Sequence, residues 1–214
     1  MPASPPPAAR AARQPSGRAW QRMLSGRRLD LLDPSPLDIE VEDIAHGLSR
    51  VARWNGQTTG DYTFSVAQHS LLVEELTLLN KRRPSPAERL FALLHDAPEY
   101  VVGDLISPFK AVVGDGYKAL EKRLLDAILT RFSLPAPPPA SWEKRIKRAD
   151  KLAAYLEAVQ LAGFTPGEAK PFFGSPKQEQ IAHITLKAAP PEEAKRDYLT
   201  RFQSLMLKIE PSNG

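Results

Sequence analysis

Apolar residues recur at three- and four-residue steps along most of this chain, the periodicity of helices that each bury one face. After the Pro-punctuated segment DLLDPSPLD, the apolar positions Ile44, Leu48 and Val51 predict a first helix over about residues 40–52. The Gly- and Thr-rich segment WNGQTTGDYTF reads as a loop, and Ser65 then offers an N-cap for VAQHSLLVEELTLLN, a second helix running to about Asn80. KRRPSPAE is a turn that places Pro86 near the next helix start, and ERLFALLHDAPEY is apolar enough for a buried central helix whose end carries His95 and Asp96. Beyond GDLISPF, the stretch YKALEKRLLDAILTRF aligns Leu120, Leu124, Leu125 and Ile128 on one side and stops at PAPPPA. SWEKRIKRADKLAAYLEAVQLA predicts the next helix, GFTPGEAKPFFGSP interrupts, and PEEAKRDYLTRFQSLMLKI predicts the last. There is no alternating strand pattern of useful length, no internal repeat and no dinucleotide or P-loop glycine motif. The pattern predicts an all-α fold, a compact multi-helix bundle.

Composition sets the limits of that bundle. A chain of 214 residues suits one domain with a real core plus a tail. Residues 1–28 are the expected tail: they are Pro-, Ala- and Arg-rich, lack periodicity, and cannot bury enough apolar surface to offset the entropy of ordering. The alternatives, a phosphate-seeking basic arm or an organelle-targeting peptide, are opposed by prolines that spoil an amphipathic helix. Residues 29–214 then form the domain. The tail holds six arginines and no acid against a net charge of +4, so the domain is slightly acidic, at −2. That argues against a nucleic-acid partner. With no cysteine, thiolate metal sites and cysteine nucleophiles are excluded, and any metal must sit among nitrogen and oxygen ligands. No apolar run approaches the about 18 to 20 residues that span a bilayer, and the start lacks the apolar core of a signal peptide, so the expectation is a cytoplasmic protein off the membrane.

Against this background four residues stand out: His69, the adjacent pair His95 and Asp96, and Asp150. Two imidazoles and two carboxylates on three helical segments form a ligand set for one divalent ion. His95 and Asp96 as helix neighbours lie about 100° apart around the axis, so one ion at the helix end is within reach of both. Asp150 sits among the apolar positions Ile146, Ala149, Ala153 and Leu156, and a carboxylate on an inward face calls for a cation. Taken singly, each has a structural reading: His69 as a hydrogen-bonded core residue, His95-Asp96 as a chance dipeptide, Asp150 as a surface partner of Lys147 or Lys151. The joint pattern is what points to a metal.

VAQHSLLV, LLHDAPEYVVGDLISP and KRADKLAAYL, in that order, resemble the three signature stretches of the HD-domain metal-dependent phosphohydrolases, over roughly residues 50–161. The chain is most similar to the bacterial 5'-deoxynucleotidase branch in its Arg-Trp pair before the first His, in HDA-x-E followed five residues later by Asp, and in an AD-x-x-x-AYL-like segment. The resemblance implies an HD-type bundle in which His69, His95, Asp96 and Asp150 are the metal ligands, Glu99 and Asp104 handle water and protons, and Arg53 and Trp54 contact substrate. Lys110 in SPFK is a second candidate for the phosphate charge. Arg53 as a surface ion pair and Trp54 as a core anchor stay open, as does the division of labour between Glu99 and Asp104.

Two absences narrow the implied subclass. No histidine lies between Asp96 and Asp150, where relatives holding two metals place extra histidines, so one ion is expected. Tyr100 follows Glu99 where alarmone hydrolases of the superfamily carry an acid pair. The expected activity is removal of the 5'-phosphate from a (deoxy)nucleoside monophosphate, with a (d)NTP triphosphohydrolase or pyrophosphohydrolase as the alternative and a non-catalytic nucleotide-binding module as a third reading. The ion would be Mn, Co, Mg, Zn or Fe, since imidazole and carboxylate suit several. Related enzymes are often homodimers. His46, about two turns before Arg53, reads as a core cap or as a substrate contact.

Overall fold

Side-chain caps start the helices where the sequence offers them, and prolines and backbone turns stop them. The computed structural model describes residues 19–79, 82–106, 112 and 115–209. An antiparallel hairpin, β1 (Trp20–Arg22) and β2 (Arg28–Asp30), comes first, with Gln21 opposite Leu29. A 3-10 turn at Pro36–Asp38 leads to α1 (Val41–Leu48). α2 (Val66–Leu76) begins at Ser65, whose hydroxyl accepts from the Gln68 N–H while the Gln68 side chain accepts from the Ser65 N–H. Ser85 caps α3 (Pro86–Leu94) in the same way through the Glu88 N–H, with Pro86 in the first turn. There follow α4 (Glu99–Val102), α5 (Asp115–Arg131), α6 (Ala140–Gln160), α7 (Pro166–Phe173), α8 (Gln178–Ile181) and α9 (Pro191–Ile209). The fold is all-α, as the periodicity predicts. Among the described residues no helix is long and apolar enough to cross a membrane.

α2 is the hub. It packs against α3, α6 and α9, while α1 packs on α4 and α9, and α7 on α6. Ile44, Leu48, Val73, Leu90, Leu93, Ile128 and Tyr198 are fully buried between these elements. At about 1.5–3 kcal/mol for each large apolar side chain taken from water, this core holds the hub in place. Gly47 marks the tightest approach: a Cβ there would lie 2.8 Å from Tyr100 Cβ, so α1 and α4 touch through bare backbone.

The structure departs from the sequence expectations at four places, each for a local reason. α1 ends at Leu48 instead of about residue 52, because the Arg53 N–H donates to Phe64 O (2.8 Å) and the Val66 N–H to Val51 O (3.0 Å). That short pairing claims the backbone groups a longer helix would use. α3 stops at Leu94, so His95 and Asp96 sit in a turn and not on a helix. Pro98 has no N–H to return to the Leu94 carbonyl, and the Ala97 N–H takes that carbonyl instead, at 2.9 Å. The segment read as an interruption contains α7, started by a Thr165/Glu168 reciprocal cap and Pro166. Residues 19–28, placed in the tail by composition, run into the hairpin, where Leu29 is buried and the Ser25 N–H and hydroxyl both donate to Asp43. The rest of the expected tail, residues 1–18, lies outside the described residues.

Candidate metal centre

Three elements bring ligating atoms to one point. His69 comes from the middle of α2, His95 and Asp96 from the turn after α3, and Asp150 from the middle of α6. One ligating atom each of His69, His95 and Asp150 lie within 4.8 Å of one another. His69 Nε2 stands 3.2 Å from Asp150 Oδ1 and 3.4 Å from Asp96 Oδ2, and His95 Nε2 is 3.2 Å from Asp96 Oδ2. The four residues singled out in the sequence are therefore brought together in space.

The two imidazoles are oriented as ligands. His95 Nδ1 lies 2.8 Å from Ala92 O, a carbonyl that can only accept, so Nδ1 is the donor there and Nε2 is turned toward Asp96. His69 Nδ1 faces Glu157 Oε1 at 2.5 Å, the carboxylate–imidazole pairing that presents Nε2 to a metal. Both Nε2 atoms are buried and make no hydrogen bond of proper geometry with a protein group. Buried polar atoms normally find partners. A divalent cation between these nitrogens and the Asp96 and Asp150 carboxylates fits the donor set, and nitrogen–oxygen ligation suits several divalent ions.

The turn that carries His95 also finishes α3. Once the helix stops at Leu94, its last carbonyls need other donors. The His95 ring takes Ala92 O, the fully buried Tyr198 hydroxyl donates to Leu93 O at 3.0 Å, and the Ala97 N–H donates to Leu94 O. A candidate ligand, His95, is thus part of the helix's own C-terminal cap.

Around this core the structure places the other sequence candidates. Arg53 is largely buried and donates from Nη1 to Asp104 Oδ2 (2.9 Å) and from Nε to Glu157 Oε2 (3.2 Å), so it is an interior ion pair and not a surface one. Trp54 donates from Nε1 to the same Glu157 oxygen at 2.9 Å and packs its ring on Phe164 and Phe173, with centroids 5.6 and 5.9 Å away. The indole is an anchor of the loop. Glu99 is buried at the start of α4, directly after the His95-Asp96 turn. Lys110 lies outside the described residues. His46 sits among Arg50, Lys195, Glu192 and Asp43; desolvation first, then Arg50 and Lys195, holds its pKa below the ordinary histidine value.

Glu157 was not among the sequence candidates. It is fully buried, and one carboxylate serves His69, Trp54 and Arg53. The available signal was its position two helical turns after Asp150, which puts a second acid on the same face of α6. The Arg53–Gly56 turn it grips is unusual: Trp54 and Asn55 have φ of 56° and 51°, and Gly56 continues at 75°. Asn and Gly tolerate the left-handed region, but for Trp54 it costs about 1–2 kcal/mol and needs surroundings that impose it.

The electrostatics follow from this crowding. Burial works to raise the Asp96 carboxyl, but the nearby rings of His95 and His69, 3.2 and 3.4 Å away, outweigh it and hold it well below the usual carboxylate range. His69 also brings down the half-buried Asp150 and the fully buried Glu157, helped at Glu157 by Arg53. For His69, burial and the Arg53 charge oppose protonation, yet Glu157, Asp150 and Asp96 together lift it well above the ordinary 6.5. Without an ion, the site attracts a proton to the position a cation would take.

No protein-family profile matches the chain. It is 56% identical over 194 residues to the uncharacterized protein RCAP_rcc00048 of Rhodobacter capsulatus, covering 90% of this chain and 98% of that one. It is 32% identical over 170 residues to the uncharacterized protein YfdR of Escherichia coli K12, covering 78% of this chain and 85% of YfdR. A more distant likeness, 33% over an alignment of 121 residues, links it to the 5'-deoxynucleotidase YfbR of Salmonella typhi, covering 46% of this chain and 61% of that enzyme.

Proposed function

This chain belongs to the family of Rhodobacter capsulatus RCAP_rcc00048 and Escherichia coli YfdR, and we propose that it is a metal-dependent phosphohydrolase of the HD type that removes the 5'-phosphate from (deoxy)nucleoside monophosphates. The observation that carries this reading is the pair of buried imidazoles with unpartnered Nε2 atoms facing Asp96 and Asp150. The likeness to a 5'-deoxynucleotidase supports the reaction class.

His69, His95, Asp96 and Asp150 would hold the ion. Bound there, a divalent cation supplies Lewis acidity toward a phosphoryl oxygen and makes water a better nucleophile. Glu99, beside the His95-Asp96 turn, takes the proton of the attacking water as the new oxygen–phosphorus bond forms. Asp104 accepts a hydrogen bond from Arg53 and acts through it, aiming the guanidinium at the phosphate. As the bond to the ribose 5'-oxygen breaks, that oxygen takes up the proton that Glu99 had accepted, and inorganic phosphate and a nucleoside leave.

A monophosphate suits the charge of the site better than a triphosphate does. Asp96, Glu99, Asp104, Asp150 and Glu157 surround it, and Arg53 is already committed to two of these acids. A panel of nucleoside mono-, di- and triphosphates with Mn, Co, Mg or Zn, separating phosphate from pyrophosphate and triphosphate, tests the reading. Phosphate from monophosphates alone is the expected result; pyrophosphate or triphosphate release would favour the triphosphohydrolase alternative, and no release from any nucleotide would end the phosphohydrolase assignment. Glu99→Gln should keep the metal and lose about 100-fold or more in kcat.

A further inference from the structure

Glu157 joins two parts of the site that are otherwise separate. One carboxylate oxygen meets the Nδ1 side of the metal ligand His69, and the other receives Trp54 Nε1 and Arg53 Nε from the left-handed turn Arg53–Gly56. We infer that Glu157 is a positioning residue that couples metal occupancy to the conformation of the Arg53–Gly56 turn. This rests on the metal-centre reading above and goes beyond it, because it assigns the turn two states of different stability according to what His69 binds.

The physical reason is shared charge. A cation on Nε2 withdraws electron density from the imidazole and makes its Nδ1–H a stronger donor, so the His69–Glu157 bond tightens. The carboxylate is then held with its second oxygen toward the turn. Trp54 occupies a backbone region that a bulky residue adopts only when its surroundings impose it, and its side-chain anchors are that oxygen and the rings of Phe164 and Phe173. Fixing the carboxylate therefore fixes the turn, and with it the direction of Arg53. The coupling is reciprocal: whatever holds the turn must also strengthen metal binding at His69.

Glutamine separates the two halves of this arrangement. Its single side-chain oxygen can accept from His69 or from the turn, but its amide hydrogens would face N–H donors on the other side. Glu157→Gln should weaken Co2+ binding, measured by competition with a chelating indicator, by about 10- to 100-fold. Trp54→Phe keeps an aromatic ring against Phe164 and Phe173 and removes only the donor to Glu157. It should weaken Co2+ binding about fivefold or more although the lost hydrogen bond goes to Glu157 and not to a candidate ligand. In protein labelled with 5-fluorotryptophan, the Trp54 resonance, assigned by its loss in Trp54→Phe, should move when Zn2+ is added and stay still in Glu157→Gln. Equal Co2+ affinity in the wild type and Trp54→Phe, or a Zn2+ response that survives Glu157→Gln, overturns the coupling. Should Glu157→Gln fail to fold, the Trp54→Phe affinity decides alone. A wild-type protein that binds neither ion removes the metal centre and the coupling together, whereas one that binds ions in the coupled manner but releases no phosphate removes only the proposed activity.

Discussion

At His69 a proton and the proposed divalent ion would compete for the same lone pair. Glu157, Asp150 and Asp96 raise the pKa of this buried imidazole against the effects of burial and Arg53, so near neutral pH the metal-free site holds a proton that an incoming ion must displace. The sign is then set. A raised folded-state pKa contributes stability to the metal-free protein below the unfolded value of about 6.5, and that contribution is lost as pH rises through the folded value. Metal affinity runs the other way and should rise as pH increases toward the folded His69 value, with a proton released per ion. Calorimetry in buffers of different ionisation enthalpy measures both; a flat affinity with no proton release would contradict the protonated metal-free state. Asp96 and Asp150, held low by the histidines, remain ionised across this range and do not change the sign.

At the level of elements, the site depends on where helices end. His95 was expected on a helix and lies in a turn, and the carbonyls released by that early stop are taken by His95 itself, Tyr198 and Ala97. Tyr198→Phe should leave the buried Leu93 carbonyl without that donor and cost about 1–3 kcal/mol in denaturant unfolding, together with weaker metal binding as the turn loosens. Gly47→Ala tests the neighbouring contact. A Cβ 2.8 Å from Tyr100 Cβ must push α1 (Val41–Leu48) from α4 (Glu99–Val102), which carries Glu99; about 1–3 kcal/mol of stability and a lower kcat are expected. An Ala variant with unchanged stability would show that α4 can shift freely.

Across the whole molecule, ion pairs with buried carboxylates tie together the helices that converge on the candidate metal centre. Glu88 on α3 is buried against Arg145 on α6, joining the helix that ends at His95 to the one that carries Asp150. Glu74 on α2, also fully buried, meets Arg89 of α3 and Arg201 of α9. Such pairs add little net stability when complete, but removing one partner strands a buried charge. Arg145→Ala should cost about 3–5 kcal/mol, read as a lower denaturant midpoint at unchanged slope. A loss below about 1 kcal/mol would mean that water reaches Glu88.

The helical class, the Ser65 cap, the helix start near Pro86 and the candidate ligands His69, His95, Asp96 and Asp150 were all legible in the chain, because periodicity, caps and residue chemistry act within a few neighbouring positions. Glu157 was not, although it lies only seven residues beyond Asp150. Its importance comes from His69, Trp54 and Arg53, which are about 90 to 100 positions away in the chain and meet it only when α2, the Arg53–Gly56 turn and α6 pack together. The interior pairing of Arg53 and the left-handed Trp54 belong to the same class. Each is imposed by a partner that local sequence cannot specify.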